Sequence, residues 1–203
     1  MKAVLTESIH PGALAIAKQL QQDYDFSGIN LVLPTTVFDE RHVLDLDGTE
    51  VQLIYVGPCH QVGDTIVYLP KERVLFAGDV IFRECTPMGW TGSYEKWLKI
   101  IDLIIALDPE VIVPGHGPVC GLEGAMEMKA YLDYVREESS SFFARGMSAL
   151  DAAKRIDLGP YSAWNAPARV YLNVERAYRE FRHEVEDQPW DTAKSFDHIY
   201  KVA

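Results

Sequence analysis

Three short stretches place a metal-ligating side chain directly after an apolar, strand-like run and beside glycine. They are His60 in YVGPCHQVGD, Asp79 in LFAGDVIF and His116 in VIVPGHGPV. Imidazole nitrogens and carboxylate oxygens are good donors to zinc or to ferrous iron. A strand end is where an α/β scaffold presents such groups, because the strand fixes the backbone while the loop leaves the side chain free to face a cleft. Neighbouring glycines let the loop turn sharply and let backbone approach a ligand closely. Each residue read singly also fits a bland role, since a histidine between two glycines can simply satisfy a turn. Together they make a donor set of two imidazoles and one carboxylate.

The elements that must position these residues follow from hydrophobic periodicity. From Arg41 to Val80 the runs HVLDL, EVQLIYV, DTIVYL and RVLFAGDV are short and β-rich, separated by the turn signals DG, GPCHQVG and PKE, which predicts a small sheet with hairpins. SYEKWLKIIDLIIALD repeats Trp97, Ile100 or Ile101, Ile104 and Leu107 at helical spacing, and DPEVIVPGHG then returns to a strand. Helix followed by strand is an α/β pattern. Beyond Leu122, apolar periodicity among abundant Glu, Lys, Arg and Ala predicts helices over 122–145, 148–157 and 167–186, with a less regular tail that contains Trp190 and Phe196. A further helix is expected over 8–24, where Ser8 can cap and Pro11 sits in the first turn.

Taken in order, the segments GPCHQVGDTIVYLPKERVLFAGDV and DPEVIVPGHG resemble the later metal motifs of the metallo-β-lactamase superfamily, over residues 30–130. The nearest flavour is the glyoxalase-like group of metal hydrolases. The resemblance implies an αββα sandwich, α/β in class and α+β in some schemes. It also implies that His60 completes a first metal site, that Asp79 bridges two metals, and that His116 completes the second. Zinc is the implied cofactor, two ions in a complete site, with iron or manganese as alternatives. Metal-activated hydroxide would then attack an ester, thioester, lactone or amide of a small molecule, with Asp79 also counted as the catalytic residue. Cys85, Thr86 and Trp90, in RECTPMGW, fall where resembling enzymes place pocket-lining loops, with ordinary packing as the alternative.

The departure from the family pattern is equally specific. The family's leading His-x-His-x-Asp-His motif has no counterpart here: the histidines are His10, His42, His60, His116, His183 and His198, and no two are separated by a single residue. Glu7 and His10, three apart on the helix expected there, or His42, could replace those ligands, but such pairs are commonly solvated surface. Asp64 is expected to brace its loop, with a bond to a ligand histidine as the alternative, and Cys59 to be a small buried side chain. The fold expected is therefore a sandwich incomplete at its N-terminus, a metallo-β-lactamase-like domain over 1–130 with a helical extension over 131–203. One sheet would lack its partner and expose an apolar face, which points to a homo-oligomer, a complementing N-terminal portion or a truncated product, inactive in this form. The reading from another class is a non-catalytic binding module that retains the fold.

Composition narrows the setting. The chain has 203 residues, a formal charge of −11 and a pI near 4.9, which speaks against nucleic acid or anionic lipid as partners. Its three cysteines, Cys59, Cys85 and Cys120, contain no CxxC pair, so a disulfide framework is not indicated. No signal-like stretch or run of membrane-spanning length occurs, and a reducing, cytoplasmic setting is expected.

Overall fold

The computed structural model describes residues 20–30, 32–184 and 190–203. Of the helix expected over 8–24, residues 20–23 are helical, and 8–19, with Glu7 and His10, lie outside the described residues. Among the described residues the strands form one sheet in sequence order: β1 (Arg41–Leu46), β2 (Thr49–Tyr55), β3 (Thr65–Leu69), β4 (Val74–Phe82) and β5 (Val111–His116). The first four pair antiparallel, and β5 joins β4 in parallel after the helix α1 (Tyr94–Ala106), as a parallel neighbour requires a crossover. The two-residue turn Asp47–Gly48 joins β1 to β2, and its amide end is held by the Asp45 carboxylate, which accepts from Gly48 N at 2.7 Å.

β2 and β4 are each antiparallel to β3 and so run the same way, and β5 runs with β4. The C-terminal ends of β2, β4 and β5 therefore emerge at one end of the sheet. That end is where His60, Asp79 and His116 occur in the chain. The topology alone brings the three segments together.

The two faces of the sheet differ. On one, Ile66, Tyr68, Leu75, Ala77 and Ile112 join a core with Trp97, Ile101 and Ile104 of α1 and Ala125, Met128 and Leu132 of α2 (Leu122–Ala144). On the other, the register lines up Leu53, Val67, Phe76 and Val113, and Phe76 remains 44% exposed, with Leu44, Leu46 and Tyr55 exposed too. Such a face is what a second layer would cover.

The helices that follow are α2, α3 (Ala149–Arg155), α4 (Val170–Phe181) and α5 (Thr192–Val202). The first three match the expected spans within a few residues. Helix α5 lies in the tail where no regular element is expected; its cap is Asp191, whose side chain accepts from Lys194 N at 3.0 Å. Position 130 falls in the middle of α2, and Val170, Leu172, Val174 and Ala177 of α4 belong to the same core as the sheet residues. No described helix is long and apolar enough to cross a membrane.

Candidate metal centre

The β2–β3 loop presents His60. Asp64, four residues on, folds back so that its carboxylate accepts from the amides of Cys59 (3.0 Å), His60 (2.6 Å) and Gln61 (3.0 Å). One carboxylate satisfying three successive N–H groups makes a tight, rigid loop, which is the bracing role its position suggests. Tyr55 Oη donates to Val62 O at 2.9 Å, and Lys96 Nζ of α1 donates to Gly57 O. The imidazole is only 13% exposed. Burial pushes its pKa below the ordinary histidine value, against the opposing pull of Asp79 and Asp64, and Arg176 and His116 push the same way as burial. The neutral ring so favoured is the form that ligates metal.

Asp79 lies in β4 where the pairing with β5 loses register between Gly78 and Phe82, so the two strands splay and leave room for a carboxylate between them. Gly115 on β5 is part of that room: a Cβ there would strike Asp79 Oδ1 and the backbone of Gly78. Gly117, with φ of 93°, lies so close to Arg83 that a Cβ would collide with its carbonyl, and Arg83 N donates to His116 O at 2.9 Å. These contacts account for both glycines that flank His116. They set the histidine at the mouth of the splayed strands.

The resulting geometry is a carboxylate between two imidazoles. His60 Nδ1 is 3.4 Å from Asp79 Oδ2, and His116 Nε2 is 3.5 Å from Asp79 Oδ1. Both separations exceed the normal N–H···O range of about 2.7 to 3.2 Å. They are close to the edge of a tetrahedral zinc site, about 3.3 Å for bonds of about 2.0 to 2.1 Å. Each carboxylate oxygen thus has one imidazole at ligand-to-ligand distance, the disposition a bridging carboxylate would have. Among the described residues, no three His, Cys, Asp or Glu side chains converge on a single point. The two imidazoles lie on different oxygens of one carboxylate and are not gathered about one point.

Phe82, buried at the end of β4, organises both rings. It stacks on His116 at 4.9 Å between centroids and meets His60 edge-on at 6.3 Å. Its own amide, beyond the broken ladder, lies 3.2 Å from Met128 Sδ of α2. Sequence periodicity does not show that this core residue lies between the two imidazoles.

The other candidates fall elsewhere. Cys85 and Thr86 are buried in a bridge to residue 165, where Thr86 N donates to Asn165 O at 3.0 Å, so neither side chain faces a solvent-filled cleft. Trp90 is half-buried against Trp190 and Phe196, and its amide donates to His60 O at 2.8 Å. His42 sits on the edge strand β1, three strands from Asp79, stacked with Phe38. His198 on α5 packs edge-on to Tyr171 of α4. Two residues that sequence reasoning passed over, Asn173 and Arg176 of α4, are 1% and 3% exposed. The signal for them was available: polar residues three apart on an otherwise apolar stripe of a helix.

The profile of the metallo-beta-lactamase superfamily matches residues 5–116. Among curated relatives, the alpha subunit of 2,4-dinitroanisole O-demethylase from Nocardioides sp. (strain JS1661) is 37% identical over 82 residues, 38% of this chain and 24% of the relative. The metallo-beta-lactamase type 2 of Bacteroides fragilis is 30% identical over 115 residues, 54% of this chain and 46% of the relative. Among solved structures, a metallo-beta-lactamase family protein from Thermus thermophilus superposes with a TM-score of 0.56 at 19% identity, over 72% of this chain and 48% of that one. The stereoselective inverting sec-alkylsulfatase Pisa1 from Pseudomonas sp. does so at 0.58 and 14%, over 78% and 28%. These structural likenesses speak to fold alone. The chain spans about a quarter to about half of the length of these proteins. With that profile matched across more than half of its length, on a mixed α/β architecture, the chain belongs to the metallo-beta-lactamase superfamily.

Proposed function

We propose that this protein is a metal-dependent hydrolase in which His60, Asp79 and His116 hold a pair of metal ions, with Asp79 as the bridge. The observation that carries the reading is the carboxylate flanked at 3.4 and 3.5 Å by two imidazoles, each facing a different oxygen. Zinc suits that donor set, and iron or manganese would be accepted according to supply. When bound, such a pair supplies a Lewis acid for the scissile carbonyl and a hydroxide nucleophile at neutral pH. The chain's own part is to hold the donors. Asp64 and Lys96 keep the His60 loop in place, the splayed strands seat Asp79, and Phe82 orients both rings. The substrate class is a small molecule with an ester, thioester, lactone or amide bond.

Each half-site contributes one imidazole and one carboxylate oxygen, whereas a catalytic zinc site usually has three protein ligands. In this reading the remaining donors come with a separate polypeptide surface that also covers the open sheet face around Phe76. Light scattering of the purified protein checks that part. A monodisperse monomer whose Phe76 face is protected from solvent would remove the need for a partner, and a dimer of identical chains would transfer the role to a second copy.

Zinc loading followed by elemental analysis tests the function. In the assembly that supplies the remaining donors, about two ions per chain, with hydrolysis of an ester, thioester or lactone panel abolished in Asp79→Ala, is the expected result. The division of the donors favours one alternative, a non-catalytic binding module of the same fold. No bound metal at micromolar supply would select it.

A further inference from the structure

We propose that Arg176, together with Asn173 one turn earlier on α4, is the positioning device for His60. Arg176 is buried, yet among the described residues it forms no salt bridge with a carboxylate. Instead its Nη1 and Nη2 both donate to Cys59 O, each at 3.0 Å, and its guanidinium lies 4.8 Å over the Trp97 ring. Cys59 is the residue immediately before His60. A buried cation aimed at one carbonyl is a costly arrangement unless the carbonyl's position matters.

Asn173 makes the matching contact on the neighbouring loop. Its Nδ2 donates to Pro87 O at 3.0 Å, with Tyr131 Oη 3.1 Å away. The two loops are then joined to each other, since Trp90 N donates to His60 O at 2.8 Å. Gly89 completes the closure: a Cβ there would press on Arg176 Nη2, on the Trp97 ring and on Cys59 O. The stretch PMGW thus lies on the Arg176–Cys59 contact, and its glycine and tryptophan hold the His60 loop from above while α4 holds it from within. Helix α4, whose Val170, Leu172, Val174 and Ala177 lie in the core, reaches the candidate site through side-chain donors to two loop carbonyls.

This inference rests on the metal-site reading for its consequence but not for its geometry, and the experiment separates the two. In zinc-free protein, amide hydrogen exchange is measured at residues 59–61 and 90 for wild type, Arg176→Met, Arg176→Lys, Gly89→Ala and Arg182→Ala. Zinc affinity is then measured by competition with a chromophoric chelator. Partners that orient a ligating histidine are worth about 10- to 100-fold in affinity. The expected result is faster exchange at those amides and a zinc affinity lower by that factor in Gly89→Ala and both Arg176 variants, with Arg182→Ala unchanged in both. Gly89→Ala retains the buried charge and Arg176→Lys retains a cation, so a failure of Arg176→Met to fold does not end the test. Unchanged exchange at residues 59–61 in a folded Arg176→Lys or Gly89→Ala protein overturns the positioning role. Absence of zinc binding in wild type, with the exchange pattern as expected, overturns the metal reading and leaves the positioning role standing.

Discussion

His60 and His116 flank the same carboxylate, but the molecule treats them differently. The loop that carries His60 is tied by the Asp64 carboxylate, by Lys96 from α1, by Arg176 from α4 and by the Trp90 amide, and its ring is 13% exposed. His116 ends a strand, stacks on Phe82 and leaves 47% of its side chain in solvent. The His60 loop is held in place by its own contacts, whereas the position of His116 depends on two glycines that clear space and on one ring contact. Preorganisation lowers the cost of ordering on binding, so the His60 half should fill first and the His116 half second.

The largest expected effect is the one that abolishes the comparison. Asp79→Ala removes the shared donor and should empty both halves, with zinc affinity lowered by more than about 100-fold, read by chelator competition. Gly115→Ala should come next and fall unevenly. The new Cβ would displace Asp79 Oδ1, the oxygen that faces His116, so the second zinc equivalent should be lost in titration calorimetry while the first survives. If both equivalents are lost together, the two halves are not independent.

Asp64→Asn should act on the His60 half alone. The amide retains the shape but weakens three charge-assisted hydrogen bonds, costing about 2 kcal/mol of stability in denaturant unfolding. The second zinc equivalent should bind as before. The smallest effect is the pH dependence of the metal-free protein. Because burial lowers the folded-state pKa of His60 below 6.5, the unfolded chain takes up the proton more readily. The contribution is then absent above pH 6.5 and destabilises progressively as pH falls below it. Thermal melts between pH 8 and pH 5 should show that loss, and His60→Asn should reduce it.

Much of this arrangement was legible in the residues themselves. Period-two runs punctuated by DG and PKE mark β1 to β4, and the apolar spacing of SYEKWLKIIDLIIALD marks α1. In GPCHQVGD an aspartate four residues after the histidine marks a braced loop, and Asp64 makes that contact. The tail was less legible. Helix α5 has a cap in Asp191, but its apolar residues are spaced by what they meet, and Phe196 meets Trp90 across the chain. Cys85 and Thr86 illustrate the opposite difficulty, because side-chain types that suit a pocket suit a buried bridge equally well, and the bridge to residue 165 is not visible in the sequence.

Sequence by itself determined the family, the strand-end placement of His60, Asp79 and His116 and the chemistry that two imidazoles and a carboxylate can support. These depend on residue type and on short-range spacing, which the chain carries locally. Tertiary structure decided that the two imidazoles face different oxygens of one carboxylate, that Phe82 lies between the two rings, and that a buried arginine donates to the carbonyl of Cys59, 117 residues away along the chain and next to His60. The physical reason is the same in each case. A hydrogen bond or ring contact between distant segments is specified by the register of strands and the packing of helices, and neither is written in any one stretch of sequence.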